Sequence, residues 1–178
     1  VNRIVFAGGC FWGLEKFFSQ FEGLKTLCGY ANGPYDAPSY QQVCRQSGHA
    51  EAVEVLYPDT ISAAQLIYAF FAAIDPTSLN KQGNDIGTNY RTGIYCTTEK
   101  QLELAKVMLQ DLQKYVDKPV VVEAEMLHQF SSAEDYHQKY LDVNPGGYCH
   151  LPRQLLTGHT LPDLATVEKQ FPGIKDLI

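Results

Sequence analysis

The apolar run Ile4-Val5-Phe6-Ala7 breaks at Gly8-Gly9 into the amphipathic run from Leu14 to Phe21, and this junction constrains the fold more than any other stretch. Apolar residues of both parities mark a central strand covered on both faces. Two glycines then allow a tight turn into a helix. Cys10 falls where that helix begins. Unpaired N–H groups and the positive end of the helix dipole favour an anion there, so Cys10 is expected to be a nucleophile of lowered pKa. The plainer alternative is a buried, inert cysteine. On a wheel of about 100° per residue, Phe11 shares a face with Leu14, Phe18 and Phe21, whereas Trp12 points almost opposite. A tryptophan turned from the core beside a thiol reads as a pocket wall; the alternative is ordinary packing.

The periodicities alternate as β-α-β-β-α-β-α-β without internal repeats. That pattern favours an α+β sandwich, one mixed sheet with helices packed on it, over a Rossmann unit. Strands are expected at residues 3–7, 24–30, 51–57, 92–97 and 119–127. Helices are expected at 11–21, closed by Gly23, and from the Ser62 cap through Ile74, with Leu66, Phe70 and Ala73 inward. A third opens at Thr98-x-x-Gln101, with Leu102, Ala105, Leu109 and Leu112 inward. A fourth opens at Ser131-x-x-Glu134, runs through Leu141 and stops at Asn144-Pro145-Gly146-Gly147. Residues 40–44 are a short helix or irregular, and 32–39 a turn-rich loop. The polar segment 80–91 has neither period, the mark of a loop that carries function or moves. The expected organisation is a catalytic domain over 1–152. A largely irregular extension or linker over 153–178 wraps that domain or leads towards another.

The 178 residues suffice for one domain with a real core. A net charge of −6 speaks against a nucleic-acid partner, which needs a basic face. No run approaches the length of a membrane span, so no membrane partner is expected. Five cysteines, at 10, 28, 44, 96 and 149, make an odd count without C-x-x-C pairs. This is neither a disulfide scaffold nor a zinc site, and no metal is expected. A reducing, cytoplasmic location fits, with Cys28, Cys44 and Cys96 as packing residues. No signal peptide is visible. The first strand begins at once and without an initiator methionine, as in a trimmed or processed piece.

Two further residues draw attention. Glu51 is in phase with Val53, Val55 and Tyr57 on an alternating strand. If that face is buried, its pKa should rise; if the strand starts later, the carboxyl is solvated. Cys149 follows Pro145-Gly146-Gly147-Tyr148, a segment able to change conformation. It fits the resolving partner of a nucleophilic cysteine, or else a half-exposed loop cysteine. None of the five histidines has a neighbourhood that pairs it with Cys10.

Gly8-Gly9-Cys10-Phe11-Trp12-Gly13 resembles the signature of the A-type peptide-methionine sulfoxide reductases. Gly29-Tyr30-Ala31-Asn32-Gly33, Gly48-His49-Ala50-Glu51-Ala52-Val53, the stretch from Gln82 to Arg91, Ala133-Glu134-Asp135-Tyr136-His137-Gln138 and Asn144-Pro145-Gly146-Gly147-Tyr148-Cys149 match in the same order, over roughly 3–152. The resemblance implies a ferredoxin-like α+β core. It also implies reduction of the S epimer of methionine sulfoxide, free or in proteins, as antioxidant repair. By that resemblance Cys10 is the nucleophile, and Phe11 and Trp12 hold the substrate methyl. Glu51, Tyr40 and Tyr90 bind and protonate the sulfoxide oxygen, with Asp85 in the polar network, and Cys149 is the resolving thiol. A Cys10 sulfenic acid would give a Cys10–Cys149 disulfide, reduced by external thioredoxin or another dithiol with no bound cofactor. No cysteine follows Cys149, so that disulfide would meet the reductant directly. A monomer is expected, or a fusion to a second reductase domain. The competing readings are a thiol peroxidase, which needs neither Trp12 nor the Tyr40/Glu51/Tyr90 set, and a binding module with inert cysteines.

Overall fold

Ile4 and Phe6 face one side of the first strand and Val5 and Ala7 the other, and all four are buried in the computed structural model, which describes residues 1–178. The strands are β1 (Asn2–Gly8), β2 (Lys25–Ala31), β3 (Ala50–Tyr57), the two-residue β4 (Lys81–Gln82) and β5 (Asp85–Ile86), β6 (Thr92–Cys96), β7 (Glu123–Met126) and β8 (Phe130–Ser132). Six of them form one sheet in the order β7-β6-β1-β3-β2-β8; β4 and β5 pair separately. The β6–β7 pairing is parallel and the other pairings of the large sheet are antiparallel, so the sheet is mixed as expected. β1 lies inside it, hydrogen-bonded to β3 and β6, which is why both its faces are apolar.

The helices are α1 (Phe11–Ser19), α2 (Tyr40–Cys44), α3 (Ala63–Ala72), α4 (Glu99–Leu112), α5 (Tyr140–Val143) and α6 (Leu164–Gln170). One sheet face meets α1, α3 and α4 around an aromatic centre, where Phe6 stacks on Phe18 at 4.9 Å and lies 4.8 Å from Phe70. Burying each of these phenyl groups contributes about 1.5–3 kcal/mol. The opposite face carries a smaller cluster, Val5, Ala7, Ala31, Ala50, Ala52 and Tyr95, covered by Leu127 and Phe130. No helix is long and apolar enough to cross a membrane.

Four local expectations differ. Ser131 does not cap a helix; it pairs with Tyr30 as part of β8, because the free edge of β2 accepts a strand there. Glu134 then binds the Tyr30 hydroxyl (2.7 Å) and the Tyr40 N–H (2.9 Å), and helical structure is left to a 3-10 turn at Asp135–His137 and to α5. The strand expected at 119–127 is confined to β7. The segment 80–91 is not featureless: it holds the β4–β5 hairpin and a 3-10 turn at Thr88–Tyr90. On α4 the buried stripe is rotated, with Leu104, Ala105, Met108 and Leu112 inside and Leu102 and Leu109 only half-buried. The cause is Gln101, whose side chain turns inward to donate to Arg3 O (2.9 Å) and the Tyr57 hydroxyl (2.8 Å).

Residues 155–159 bond the Gln20 side chain at the end of α1, and 164–178 lie against α3 and α4. Phe171 meets the rings of Tyr68, Phe71 and Tyr115, Val167 and Ile174 are buried, and Gly173 N–H donates to Asp111 at 3.1 Å.

Candidate active site

β1 ends at Gly8, Gly9 turns the chain with φ +83°, and Cys10 is the residue that caps α1. A side chain on Gly9 would be strained by its backbone and would meet Gln82 at 2.8 Å and His150 at 2.9 Å. The turn therefore sets the sulfur at the helix start, close under a second segment of chain. Cys10 is almost wholly buried and its thiol is free.

Glu51 reaches this helix start from β3. Its register against Tyr30 and its phase with Val53, Val55 and Tyr57 place it on the buried face, so the buried alternative is the one realised. Its carboxyl accepts the Phe11 N–H at 3.3 Å and the Asn89 side-chain amide at 3.3 Å. Burial outweighs both hydrogen bonds and, with Asp85 nearby, pushes its pKa up to about 8. Near neutral pH it is a protonated acid. Burial and the Glu51 charge raise Tyr40 and Tyr90, which keep their hydroxyl protons. The charge of one carboxyl thus acts on both tyrosines and on the Cys10 thiol, linking α2, β3, the Thr88–Tyr90 turn and the start of α1.

Phe11 and Trp12 divide as the helical wheel requires. Phe11 is buried against Tyr30 and His137. Trp12 stays half-exposed, stacks flat on Tyr140 (3.7 Å, 7°) and donates its indole N–H to His137 Nδ1 at 3.0 Å. Tyr40 and Tyr136 close on the same imidazole, at 4.4 and 4.2 Å. Burial lowers the pKa of His137, so a neutral ring fixes Trp12 at the pocket edge.

Cys149 lies close to α1. A Cβ on Gly13 would sit 2.9 Å from the Cys149 sulfur and 3.3 Å from His150 Nδ1. Gly13 is one helical turn beyond Cys10, so the segment carrying Cys149 lies along the same helix face as the Cys10 sulfur, both thiols still reduced. Tyr148 donates its hydroxyl to Asp85 Oδ2 at 3.0 Å, which ties this segment to the β4–β5 hairpin. Asp85 makes no hydrogen bond to Glu51, Tyr40 or Tyr90; it bears on Cys10, Glu51 and Tyr90 through its charge.

Two expectations about cysteines are corrected. The Cys10 thiol has its pKa raised, not lowered: burial dominates, Glu51 adds to it, and the hydrogen bond from Trp12 N–H at the helix start only partly offsets them. The helix start does lower the Cys10 pKa, but by less than burial raises it. Cys44 does not pack: it is exposed at the end of α2, whereas Cys28 and Cys96 are buried as expected.

Sequence reasoning assigned no role to Asn89, His137, Tyr140, Tyr148, His150 or Gly13. Asn89, His137 and Tyr148 lie inside the matching motifs. Gly13 closes the hexapeptide, and its close approach to Cys149 was the one reason for a glycine that local periodicity does not reveal.

A family model described as peptide methionine sulfoxide reductase matches residues 2–164. The chain is 52% identical over 155 residues to the peptide methionine sulfoxide reductase MsrA of Lachnoclostridium phytofermentans, covering 85% of this chain and 93% of the relative. It is 46% identical to the MsrA of Clostridium acetobutylicum over 89% of this chain and 100% of that one. Among solved structures, methionine sulfoxide reductase A of Corynebacterium diphtheriae superposes with a TM-score of 0.74 at 31% identity, over 91% of this chain and 83% of that one. Reduced Mxr1 from Saccharomyces cerevisiae gives 0.76 at 35% identity, over 83% and 88%, and Mxr1 in complex with Trx2 gives 0.55 at 25%, over 78% and 84%.

Proposed function

From the premise that this chain belongs to the peptide methionine sulfoxide reductase family, whose model spans most of its length, we propose a role for each residue of the site. The reaction is the reduction of methionine sulfoxide to methionine. Cys10 attacks the sulfoxide sulfur. Trp12 and Phe11 enclose the methyl group, and the configuration that directs the oxygen to Glu51, Tyr40 and Tyr90 is the S epimer. The oxygen of a sulfoxide leaves sulfur only as it gains a proton or strong donors, so acid catalysis is the central requirement. The single observation that carries this reading is Glu51: a buried carboxyl bonded to the Phe11 N–H next to Cys10, its pKa raised to about 8 and its charge felt by Tyr40 and Tyr90.

Because the resting pair is a neutral acid and a neutral thiol, the two exchange protons through the substrate. Glu51 gives its proton to oxygen, and the thiol proton restores the carboxyl. Methionine departs and Cys10 carries the oxygen as a sulfenic acid. Cys149 then condenses with it, releasing water and forming a Cys10–Cys149 disulfide. A thioredoxin is the reductant this reading favours, supported by the complex of Mxr1 with Trx2. Asp85 acts at one remove, holding Tyr148 and hence the segment that carries Cys149. The catalytic domain is assigned to 1–152, with 153–178 as an extension against α1, α3 and α4. The free cysteines favour a reducing, cytoplasmic setting and the chain is read as a monomer that binds no cofactor.

Two variants test the roles of the thiols. Cys10→Ser should form no methionine. Cys149→Ser should form one methionine per enzyme and then stop, without cycling on thioredoxin. Sustained cycling by Cys149→Ser would assign resolution to another cysteine.

A further inference from the structure

The imidazole of His150 is engaged on one side only. Its Nε2 lies 3.1 Å from the Gly8 carbonyl oxygen. A carbonyl only accepts, so Nε2 carries the hydrogen and, in the neutral ring, Nδ1 is left with a free lone pair. Nδ1 is buried and has no hydrogen-bond partner. A buried nitrogen of this kind costs stability, and its retention calls for an explanation such as a catalytic role. It also has an evident neighbour. Nδ1 and the Cys149 sulfur both lie within 3.3 Å of one point, the place a Cβ on Gly13 would occupy. The glycine leaves that space to the two groups.

We infer that His150 Nδ1 is the proton acceptor for the Cys149 thiol when Cys149 attacks the oxidised Cys10. The inference rests on the reading that Cys149 is the resolving residue. In this step Nδ1 takes the proton from Cys149, and the thiolate sulfur bonds to the Cys10 sulfur. The Cys10 S–O bond breaks, and the departing oxygen leaves as water with the proton returned by the imidazolium. The sulfenic acid is the oxidant, so no other reagent enters. The Nε2–H bond to Gly8, directly before the Gly9 turn, ties the base to the strand that delivers Cys10.

The surroundings allow the ring to work as a base near neutral pH. Burial lowers its pKa, against the charge of Asp85 from β5 and the bond to Gly8. The other titratable groups about it are Cys10 on α1, Cys149 and Tyr148 on its own segment, and Asp75 at the far wall of a cleft of about 420 Å³ that His150 lines with Gln82, Gly83 and Leu151.

The experiment mixes reduced enzyme with one equivalent of free methionine S-sulfoxide, without reductant. It follows methionine by chromatography and the Cys10–Cys149 disulfide by acid quench and peptide mass. His150→Gln keeps a donor for the Gly8 carbonyl and has no base; His150→Ala opens the cleft to added imidazole. Expected in both is a fall of at least about tenfold in disulfide formation relative to methionine formation. The pH dependence of that step should move to higher pH, and imidazole should restore the Ala variant. A His150→Gln enzyme with the wild-type ratio and pH profile would overturn the inference and leave His150 a mere anchor. Failure of the underlying reading looks different: the wild-type enzyme itself would form no Cys10–Cys149 disulfide.

Discussion

Glu51→Gln separates the proton-donor reading from every reading in which Glu51 is merely buried. The folded carboxyl titrates near 8 and the unfolded one near 4.5. A group whose folded pKa is raised contributes stability that is present below the unfolded value and is lost as pH rises through the folded one. Between those limits the unfolded chain releases a proton that the folded chain keeps, and each pH unit costs roughly 1.4 kcal/mol. From pH 5.5 to 7.5 wild type should lose about 2.5 kcal/mol that the glutamine variant, with nothing to ionise, retains. Urea unfolding of both proteins at pH 5.5, 6.5 and 7.5, with thiols kept reduced, reads the difference. Shifts of other groups, such as His137 and His150, are common to both and cancel. A stability gap that widens in the variant's favour by this amount is expected. Alongside it, single-turnover methionine formation should drop about 100-fold in the variant. Wild-type turnover should decline as pH passes about 8. A gap that stays constant with pH would refute the reasoning, since Glu51 would then be ionised at neutral pH and have no proton to give.

Gly13→Ala should leave Cys10 in place and displace the segment bearing Cys149, because the added methyl meets its sulfur at 2.9 Å. Disulfide formation should slow more than methionine formation, as measured in one turnover; equal effects on both would show that Gly13 serves α1 alone. Alkylation of Cys10 in the resting enzyme should be slower at pH 7 than that of a free thiol and should rise only in alkaline solution, as the raised pKa requires. In Glu51→Gln the rise should come at lower pH, and an unchanged profile would remove Glu51 as a cause of the shift.

The sheet and its helices were legible because their signals are periodic. Both parities of β1, the alternation of Val53 and Val55 and the cap at Ser62 are local patterns, and only the start of β3 decided that Glu51 is buried with them. What escaped was decided by distant partners. Ser131 and Glu134 carry a helix-opening pattern, yet the open edge of β2 claimed the serine and Tyr30 and Tyr40 claimed the glutamate. Gln101 turned α4 by binding β1 and β3, which no helical wheel can show. At the site, residue types singled out the candidate groups and the packing set their ionisation. The helix start favours a Cys10 thiolate, but burial beside Glu51 prevails. His150 shows the same limit: a lone histidine after a cysteine gains meaning only from the Gly8 carbonyl on one side and Gly13 on the other.

The central claim is that Cys10 takes the oxygen of one sulfoxide epimer and passes its oxidation to Cys149. Its most direct test is one turnover of the reduced wild-type enzyme with each epimer separately, without reductant, followed by peptide mass mapping of all five cysteines. The account predicts one methionine per enzyme and a Cys10–Cys149 disulfide from the S epimer, and neither from the R epimer. Methionine formed while Cys10 remains a thiol, or a disulfide that excludes Cys149, would contradict it.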